Sequence, residues 1–157
     1  LSKAKVAILM GSKSDLPIME EAKGVLDKFG ISYEMKVLSC HRSPRRAFKY
    51  AEGIEKRGIE VIIAGCGGAA HLPGVIASLT PLPVIGVPIK TSSLGGVDSL
   101  YSMVQMPPGV PVATMSINGA KNAGLLAAQI LGVRHPQIRE KVRRFKEKME
   151  DEVKSEK

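Results

Sequence analysis

Apolar and polar positions follow two periods along this chain. Residues 5–10 form a short, mostly apolar run closed by Gly11, and Ser12-Lys-Ser-Asp15 then precedes a segment with Pro17 near its start and Gly30 just past its end. These signals predict strand, loop and helix, with Ser14 or Asp15 as the N-cap. Ile31, Tyr33, Met35 and Val37 alternate with Ser32, Glu34 and Lys36, a period of two that predicts an edge strand with one wet face. Ser43 and Pro44 mark the N-cap and first position of a helix expected to stop at Gly58. Residues 61–64 are wholly apolar, 65–71 are glycine-rich, 72–79 suit a short helix and 83–87 a further strand. A loop over 88–96, a turn or two of helix after Asp98, a strand over 111–115 and a helix from Asn118 and Gly119 to Gly132 follow.

Beyond Pro136 the residues Ile138, Val142, Phe145, Met149 and Val153 recur at helical spacing with charges between them, one narrow apolar stripe that must lie on something. A charged tail is expected after Met149. Five strands alternating with helices, the central ones apolar throughout, predict an α/β fold. Its parallel sheet is covered on both faces, its crossovers are right-handed, and ligands bind where strands end and helices begin. Chain length favours one domain over 1–157, divided into a core over 1–132 and a C-terminal helix and tail over 133–157.

Composition narrows the function. With 44% hydrophobic and 24% charged residues the chain can bury a core and is not a disordered one. The net charge of +8 favours an anionic ligand. Nucleic acid is disfavoured, because no basic stripe is interleaved with aromatics and no helix-turn-helix or zinc-finger spacing occurs. Trp is absent and Phe and Tyr number three each, which disfavours a ligand gripped by stacking. Between residues 61 and 120 only Lys90 and Asp98 are charged. A membrane span over the uncharged residues 61–89 fails on Pro73, Pro81, Pro83 and Pro88 and on five glycines. So uncharged a stretch makes a poor exposed surface, and burial against other copies of the chain is expected. Cys40 and Cys66 are too few for a disulfide framework and lack metal-site spacing, so a reducing cytoplasm and no metal are expected. The chain opens on Leu1 rather than Met, with an apolar run too short for a signal-peptide core, and reads as a processed or excised start.

Three polar loops follow the first three strands: Gly11-Ser-Lys-Ser-Asp15, Ser39-Cys-His-Arg42 and Gly65-Cys-Gly-Gly-Ala-Ala-His71. In a sheet ordered 2-1-3-4-5 they converge. The hydroxyls of Ser12, Ser14 and Ser39, helix N-terminal amides and the fork of Arg42 suit a phosphate monoester, and Asp15 suits a sugar diol. Taken singly, Ser14, Asp15 and Ser43 read better as helix caps, and it is three such loops meeting at one rim that favours a binding site. His41, in a polar loop, is a candidate proton shuttle. His71 either hydrogen-bonds a ligand or caps the short helix, and His135 reads as a surface residue. Residues 65–70 approach the dinucleotide fingerprint, but they follow the third strand and no acidic residue ends the next one. A glycine loop there lets the backbone approach a flat ligand. Cys40 and Cys66 read as small buried fillers, since a nucleophile needs a base aimed at its sulfur.

Together these loops resemble the class I N5-carboxyaminoimidazole ribonucleotide mutases of purine biosynthesis, also known as the catalytic subunit of phosphoribosylaminoimidazole carboxylase. The resemblance rests on the segments just quoted, on His71-Leu-Pro-Gly74, on Pro83-Val-Ile-Gly-Val-Pro88 and on Gly96-Val-Asp-Ser-Leu-Tyr-Ser-Met-Val-Gln-Met-Pro107, in order through Ile130. It implies a three-layer αβα, flavodoxin-like subunit in a homo-octamer, with sites at subunit contacts, the last helix packed on a neighbouring subunit, and no cofactor. It implies that Ser12, Asp15, Ser39 and Arg42 hold the phosphoribosyl part, that His41 is the general acid and base, and that Gly67, Ala70, His71 and Leu72 line the imidazole and carboxylate pocket. Cys40 and Cys66 stand where alanines are usual, and Ser43 where Thr is. The implied reaction moves a carboxylate from the exocyclic nitrogen to C4 of the ring. The alternative is direct carboxylation of aminoimidazole ribonucleotide by carbon dioxide, whose enzymes lack the Gly-Gly-Ala-Ala-His-Leu-Pro-Gly run. The preceding ATP-dependent enzyme, N5-carboxyaminoimidazole ribonucleotide synthetase, is the expected partner, fused or separate. Two modules of the same fold fit less well. A receiver needs an Asp where Gly65 and Cys66 stand, and a flavin site needs aromatic walls.

Overall fold

Each apolar run becomes a strand of one parallel sheet in the computed structural model, which describes residues 4–155. β1 (Val6–Met10) lies between β2 (Tyr33–Val37) and β3 (Val61–Gly67), with β4 (Val84–Ile89) next and β5 (Ala113–Thr114) at the far edge. The order β2-β1-β3-β4-β5 is the doubly wound arrangement of flavodoxin-like folds. In register, Met10 lies opposite Val37 and Gly65, and Gly67 opposite Ile89, so the four strand ends share one rim.

The period of two in β1 divides the core. Val6, Ile8 and Met10 face one layer and Ala7 and Leu9 the other, all fully buried. On the first face lie α1 (Leu16–Phe29) and α5 (Ala120–Arg134). The two helices approach closely: a Cβ on Gly124 would lie 3.0 Å from the Ala22 carbonyl oxygen. The second face carries α2 (Pro44–Glu52) and α3 (Leu72–Leu79), through Ala47, Tyr50, Ala51, Leu72 and Ile76. α4 (Val97–Val104) packs on β4 and β5 through the buried Met103.

Four boundaries differ from expectation, each for a local reason. α2 stops at Glu52, and a tight turn over Glu55–Arg57 carries the chain to Gly58, whose φ is 86°. That turn places Ile54 fully in the core. β3 runs to Gly67, beyond the apolar residues, because its glycines pair with the end of β4. β5 is two residues long, since Pro111 cannot donate to a ladder. α5 passes through Gly132 to Arg134; Gly132 is a packing residue, and a Cβ there would lie 3.2 Å from the Arg139 Cα.

α6 (Pro136–Ser155) folds back on its own chain. Ile138 and Val142 are buried in the first core layer, and Phe145 meets Phe29 edge-on at 6.0 Å. Lys141 Nζ donates to the Phe29 carbonyl at 2.7 Å. Met149 and Val153 remain exposed, so only the distal part of the stripe is free for another subunit. The expected tail after Met149 is helical to Ser155, with a Lys154–Glu150 ion pair at 2.8 Å. Leu1, where a processed start is expected, lies outside the described residues. His135 is not simply a surface residue: half-buried, it reaches Glu60 Oε2 at 3.3 Å, and Glu60 also holds Lys5. Among the described residues no helix is long and apolar enough to cross a membrane.

Candidate active site

The loops that leave β1, β2, β3 and β4 surround a cleft of about 490 Å³ on the shared rim. β1 contributes Gly11, Ser12, Ser14 and Asp15; β2 contributes Ser39, Cys40, His41 and Arg42. Cys66, Gly67, Gly68 and Ala69 come from the end of β3, and Ile89, Lys90 and Thr91 from the end of β4.

The β1 loop closes on itself in a capping box. Ser12 Oγ accepts from the Ser14 amide at 3.4 Å and from the Ser14 hydroxyl at 3.0 Å, while the Asp15 carboxylate accepts the Ser12 N–H at 3.0 Å. Ser12, and not Ser14, is therefore the serine that caps. Asp15 occupies the expected N-cap position of α1, but its carboxylate makes no cap bond to that helix and turns back to Ser12. Burial pushes the Asp15 carboxyl above its ordinary range, opposed by the Ser12 N–H, the charge of Arg42 and the Gly11 N–H.

Arg42 ties the β2 loop to the β1 loop. Its Nη2 donates to the Gly11 carbonyl at 3.0 Å and its Nε to Ser39 Oγ at 3.3 Å, which also accepts the Arg42 backbone N–H at 3.2 Å. Ser43 does not cap α2 with its side chain; the hydroxyl donates to the Ser39 carbonyl at 2.9 Å and tightens the same loop.

His41 and His71 come together from loops thirty residues apart in the chain. His41 Nε2 lies 2.8 Å from His71 Nδ1, with the rings edge-on at 4.9 Å. A bond between two ring nitrogens needs one donor and one acceptor, so the pair shares a single proton along that line. Of the two readings open for His71, side-chain capping of α3 is absent, and its ring goes to His41.

The glycines are steric necessities in two places. A Cβ on Gly65 would overlap Met19 Sδ at 2.3 Å, and one on Gly11 would meet Cys66 Sγ at 2.8 Å. Burial, reinforced by Asp15 nearby, pushes the Cys66 thiol up to about 11, and burial also raises that of Cys40. Both are thiols at neutral pH, so they fill space next to the cleft and are poor nucleophiles. Among the described residues no group of three or more His, Cys, Asp or Glu is placed to hold a metal.

Thus Ser12, Ser14, Asp15, Ser39, His41, Arg42 and Gly67 line the cleft, and His71 reaches it through His41. Ala70 and Leu72 do not line it. Both are buried, Leu72 in the second core layer. Missing from the sequence reading is the β4 end, Ile89, Lys90 and Thr91. The available signal was Lys90 itself, the sole cation between residues 61 and 120. Two cations therefore stand at separate strand ends, Arg42 after β2 and Lys90 after β4, with Asp15 at the β1 loop between them. This spread suits an elongated ligand with more than one anionic group.

The sequence profile of the AIR carboxylase family matches residues 5–152. An N5-carboxyaminoimidazole ribonucleotide mutase of Thermotoga maritima is 63% identical over 149 residues, covering 95% of this chain and 87% of that protein. Proteins of the same name from Pyrococcus horikoshii and Saccharolobus solfataricus are 61% and 59% identical, over 96% and 95% of this chain and 85% and 94% of their own. Among solved structures, Treponema denticola PurE superposes with a TM-score of 0.87 at 28% identity, covering 97% of this chain and 95% of that one. A point variant of PurE2 from the same organism gives 0.88 at 26%, over 99% and 96%.

Proposed function

The chain belongs to the AIR carboxylase family, and from that premise we propose that it is an isomerase that converts N5-carboxyaminoimidazole ribonucleotide to 4-carboxy-5-aminoimidazole ribonucleotide in purine biosynthesis. The observation that carries the reading is the His41–His71 contact at the rim of a cleft whose β1 and β2 loops suit a phosphoribosyl group. Relatives at 59–63% identity bear the mutase name, which favours it over direct carboxylation.

Ser12, Ser14, Ser39 and Arg42 take the phosphate through hydroxyls and a guanidinium already held by Gly11 and Ser39. Asp15 accepts the ribose hydroxyls, which brings the ring over the Gly67–Gly68 backbone. His41 donates a proton to the exocyclic nitrogen; the N–C bond of the carbamate breaks and releases carbon dioxide and the free amine. C4 of the ring then attacks that carbon dioxide, forming the new C–C bond, and His41 takes back the C4 proton to restore aromaticity. Protons balance over the cycle. His71, bonded to His41, fixes the ring that carries them.

Keeping carbon dioxide in place requires a closed site, which one subunit with an open cleft does not supply. A homo-octamer is the assembly this reading favours. Support comes from Leu94, Val97, Tyr101 and Val104, exposed apolar residues within the charge-poor stretch, and from Met149 and Val153 on α6. Two free cysteines fit a reducing cytoplasm. N5-carboxyaminoimidazole ribonucleotide synthetase, which makes the substrate, is the partner this reading implies. The test is turnover of the carbamate without ATP or bicarbonate and with excess chelator. Retention of a labelled carboxylate in the product is expected. A requirement for bicarbonate, with the label lost, would assign direct carboxylation instead.

A further inference from the structure

We propose that Ser99, helped by Ser102, is a positioning residue for the reaction, holding the Gly68–Ala69 peptide so that the Ala69 N–H is turned to the cleft. This rests on the mutase reading above.

Among the described residues the buried polar side chains are Asp15 and Ser99, and Ser99 has no exposed surface at all. A buried hydroxyl is costly unless it is bonded, and this one is used both ways. Ser99 Oγ accepts the Gly68 N–H at 2.9 Å and donates to the Ile89 carbonyl at 2.6 Å. It therefore ties the end of β3 to the end of β4, and both residues line the cleft. One turn further along α4, Ser102 Oγ lies 3.3 Å from the Gly68 carbonyl and also donates to Asp98 O at 2.7 Å. Gly68 is thus held at its N–H by Ser99, while its carbonyl faces the Ser102 hydroxyl, whose single proton goes mainly to Asp98 O. Its φ is +70° with nothing within 4 Å of where a Cβ would stand, so glycine is needed there for backbone conformation and not for space.

The same helix holds a third cleft residue: Thr91 Oγ1 donates to the Asp98 carboxylate at 2.8 Å. No residue of α4 lines the cleft itself. Its polar groups act through Gly68, Ile89 and Thr91. In a trans peptide the carbonyl and the following N–H point to opposite sides. With the Gly68 carbonyl turned to Ser102, the Ala69 N–H is turned away from α4, to the side where Ala69 lines the cleft. A fixed backbone N–H is the kind of donor that steadies a carboxylate, or the oxygen of carbon dioxide as it gains charge.

Ser99→Ala removes the acceptor for Gly68 and the donor for Ile89 and leaves Ser12, Ser39 and Arg42 untouched. The expected result is a fall in kcat of about ten- to a hundredfold, as for a reacting group misplaced by up to an ångström, with KM for the carbamate ribonucleotide changed by less than about threefold. Hydrogen exchange in the peptide spanning residues 65–72 should quicken. Ser99→Cys, close in size and still able to donate weakly, should recover part of the rate. Should Ser99→Ala not fold, Ser102→Ala carries the same test, with a smaller loss in kcat. An unchanged kcat, or a loss shared equally by kcat and KM with a lowered melting temperature, would overturn the proposal. A parent protein that does not turn over the carbamate would overturn the mutase reading instead, and exchange at residues 65–72 would still show whether the clamp holds Gly68.

Discussion

Arg42 is the residue at which the proposed phosphate site is most open to test. Its guanidinium is held by the Gly11 carbonyl at 3.0 Å and Ser39 Oγ at 3.3 Å, so it is presented with little rotamer freedom left to lose. Replacing it by Ala deletes a charge-assisted bond to phosphate worth about 1.5–3 kcal/mol, or roughly 10- to 150-fold in Kd. Arg42→Lys keeps the charge but cannot span both loop acceptors, and its loss should fall between parent and Ala. Removing the cation has a second effect, because Arg42 holds the Asp15 carboxyl down against burial. Without it Asp15 takes up its proton at higher pH, and the acid side of the binding profile should move upward. The assay is isothermal titration with aminoimidazole ribonucleotide and with its phosphate-free nucleoside. At pH above the Asp15 transition the variant should lose affinity for the nucleotide and bind the nucleoside as the parent does. Equal loss for both ligands, or none, would refute the placement of the phosphate.

His41→Asn keeps a polar side chain but cannot titrate; ribonucleotide binding should persist while turnover falls by about 10² to 10⁴, measured by single-turnover kinetics. Residual activity within tenfold of the parent, with the same pH profile, would move the role to His71. Asp15→Asn still accepts the Ser12 N–H but removes a buried carboxylate whose folded pKa is raised. That group's stabilisation is present below its unfolded pKa and lost as pH rises through the folded one. The variant should therefore melt above the parent at pH 7, with the advantage vanishing toward acid, and bind the ribonucleotide less well; a lower melting temperature at pH 7 contradicts this. Alkylation of Cys66 in the folded protein should be negligible at pH 7 and grow toward its pKa of about 11, so rapid modification at pH 7 would show a thiolate that burial does not allow. In α6, Ile138→Ala should cost the fold about 2–5 kcal/mol by urea unfolding, whereas Val153→Ser should leave the subunit intact and shift only the mass seen by light scattering.

The order of elements was legible in the sequence because period and punctuation agree. The alternation through Ile31, Tyr33, Met35 and Val37 marked the edge strand, and Pro44 the start of α2. One boundary failed because glycine had two possible meanings. Gly132 carries the stop signal of a helix end, yet it permits close approach of Arg139, a contact that belongs to the next helix and leaves no local trace. The stripe from Ile138 to Val153 was equally readable as a buried face. Its partner was not, because a hydrophobic period says that a face is covered and not by which surface. The chain divides it: Ile138, Val142 and Phe145 meet α1 and α5, and Met149 and Val153 are left exposed.

For the site, sequence reasoning reached the loops of β1, β2 and β3, where polar residues interrupt apolar runs and stand out. Leu72 and Ala70 came from motif likeness alone; Leu72 is buried in the first turn of α3, and Ala70 is buried just before that helix. What local patterns could not supply was the support beneath the glycines. Ser99 lies thirty-one residues from Gly68 in a helix whose other residues are mostly apolar, and a lone serine there reads as a neutral filler. Its importance appears only when Gly68, Ile89 and α4 are seen to meet. A glycine loop that must approach a flat ligand cannot use its own side chains to hold its shape, so rigidity has to be imported through backbone bonds. In this fold the element stacked on the neighbouring strand is the one positioned to supply it. Two buried polar side chains meet that need at the rim, Asp15 beneath the β1 loop and Ser99 beneath the β3 loop.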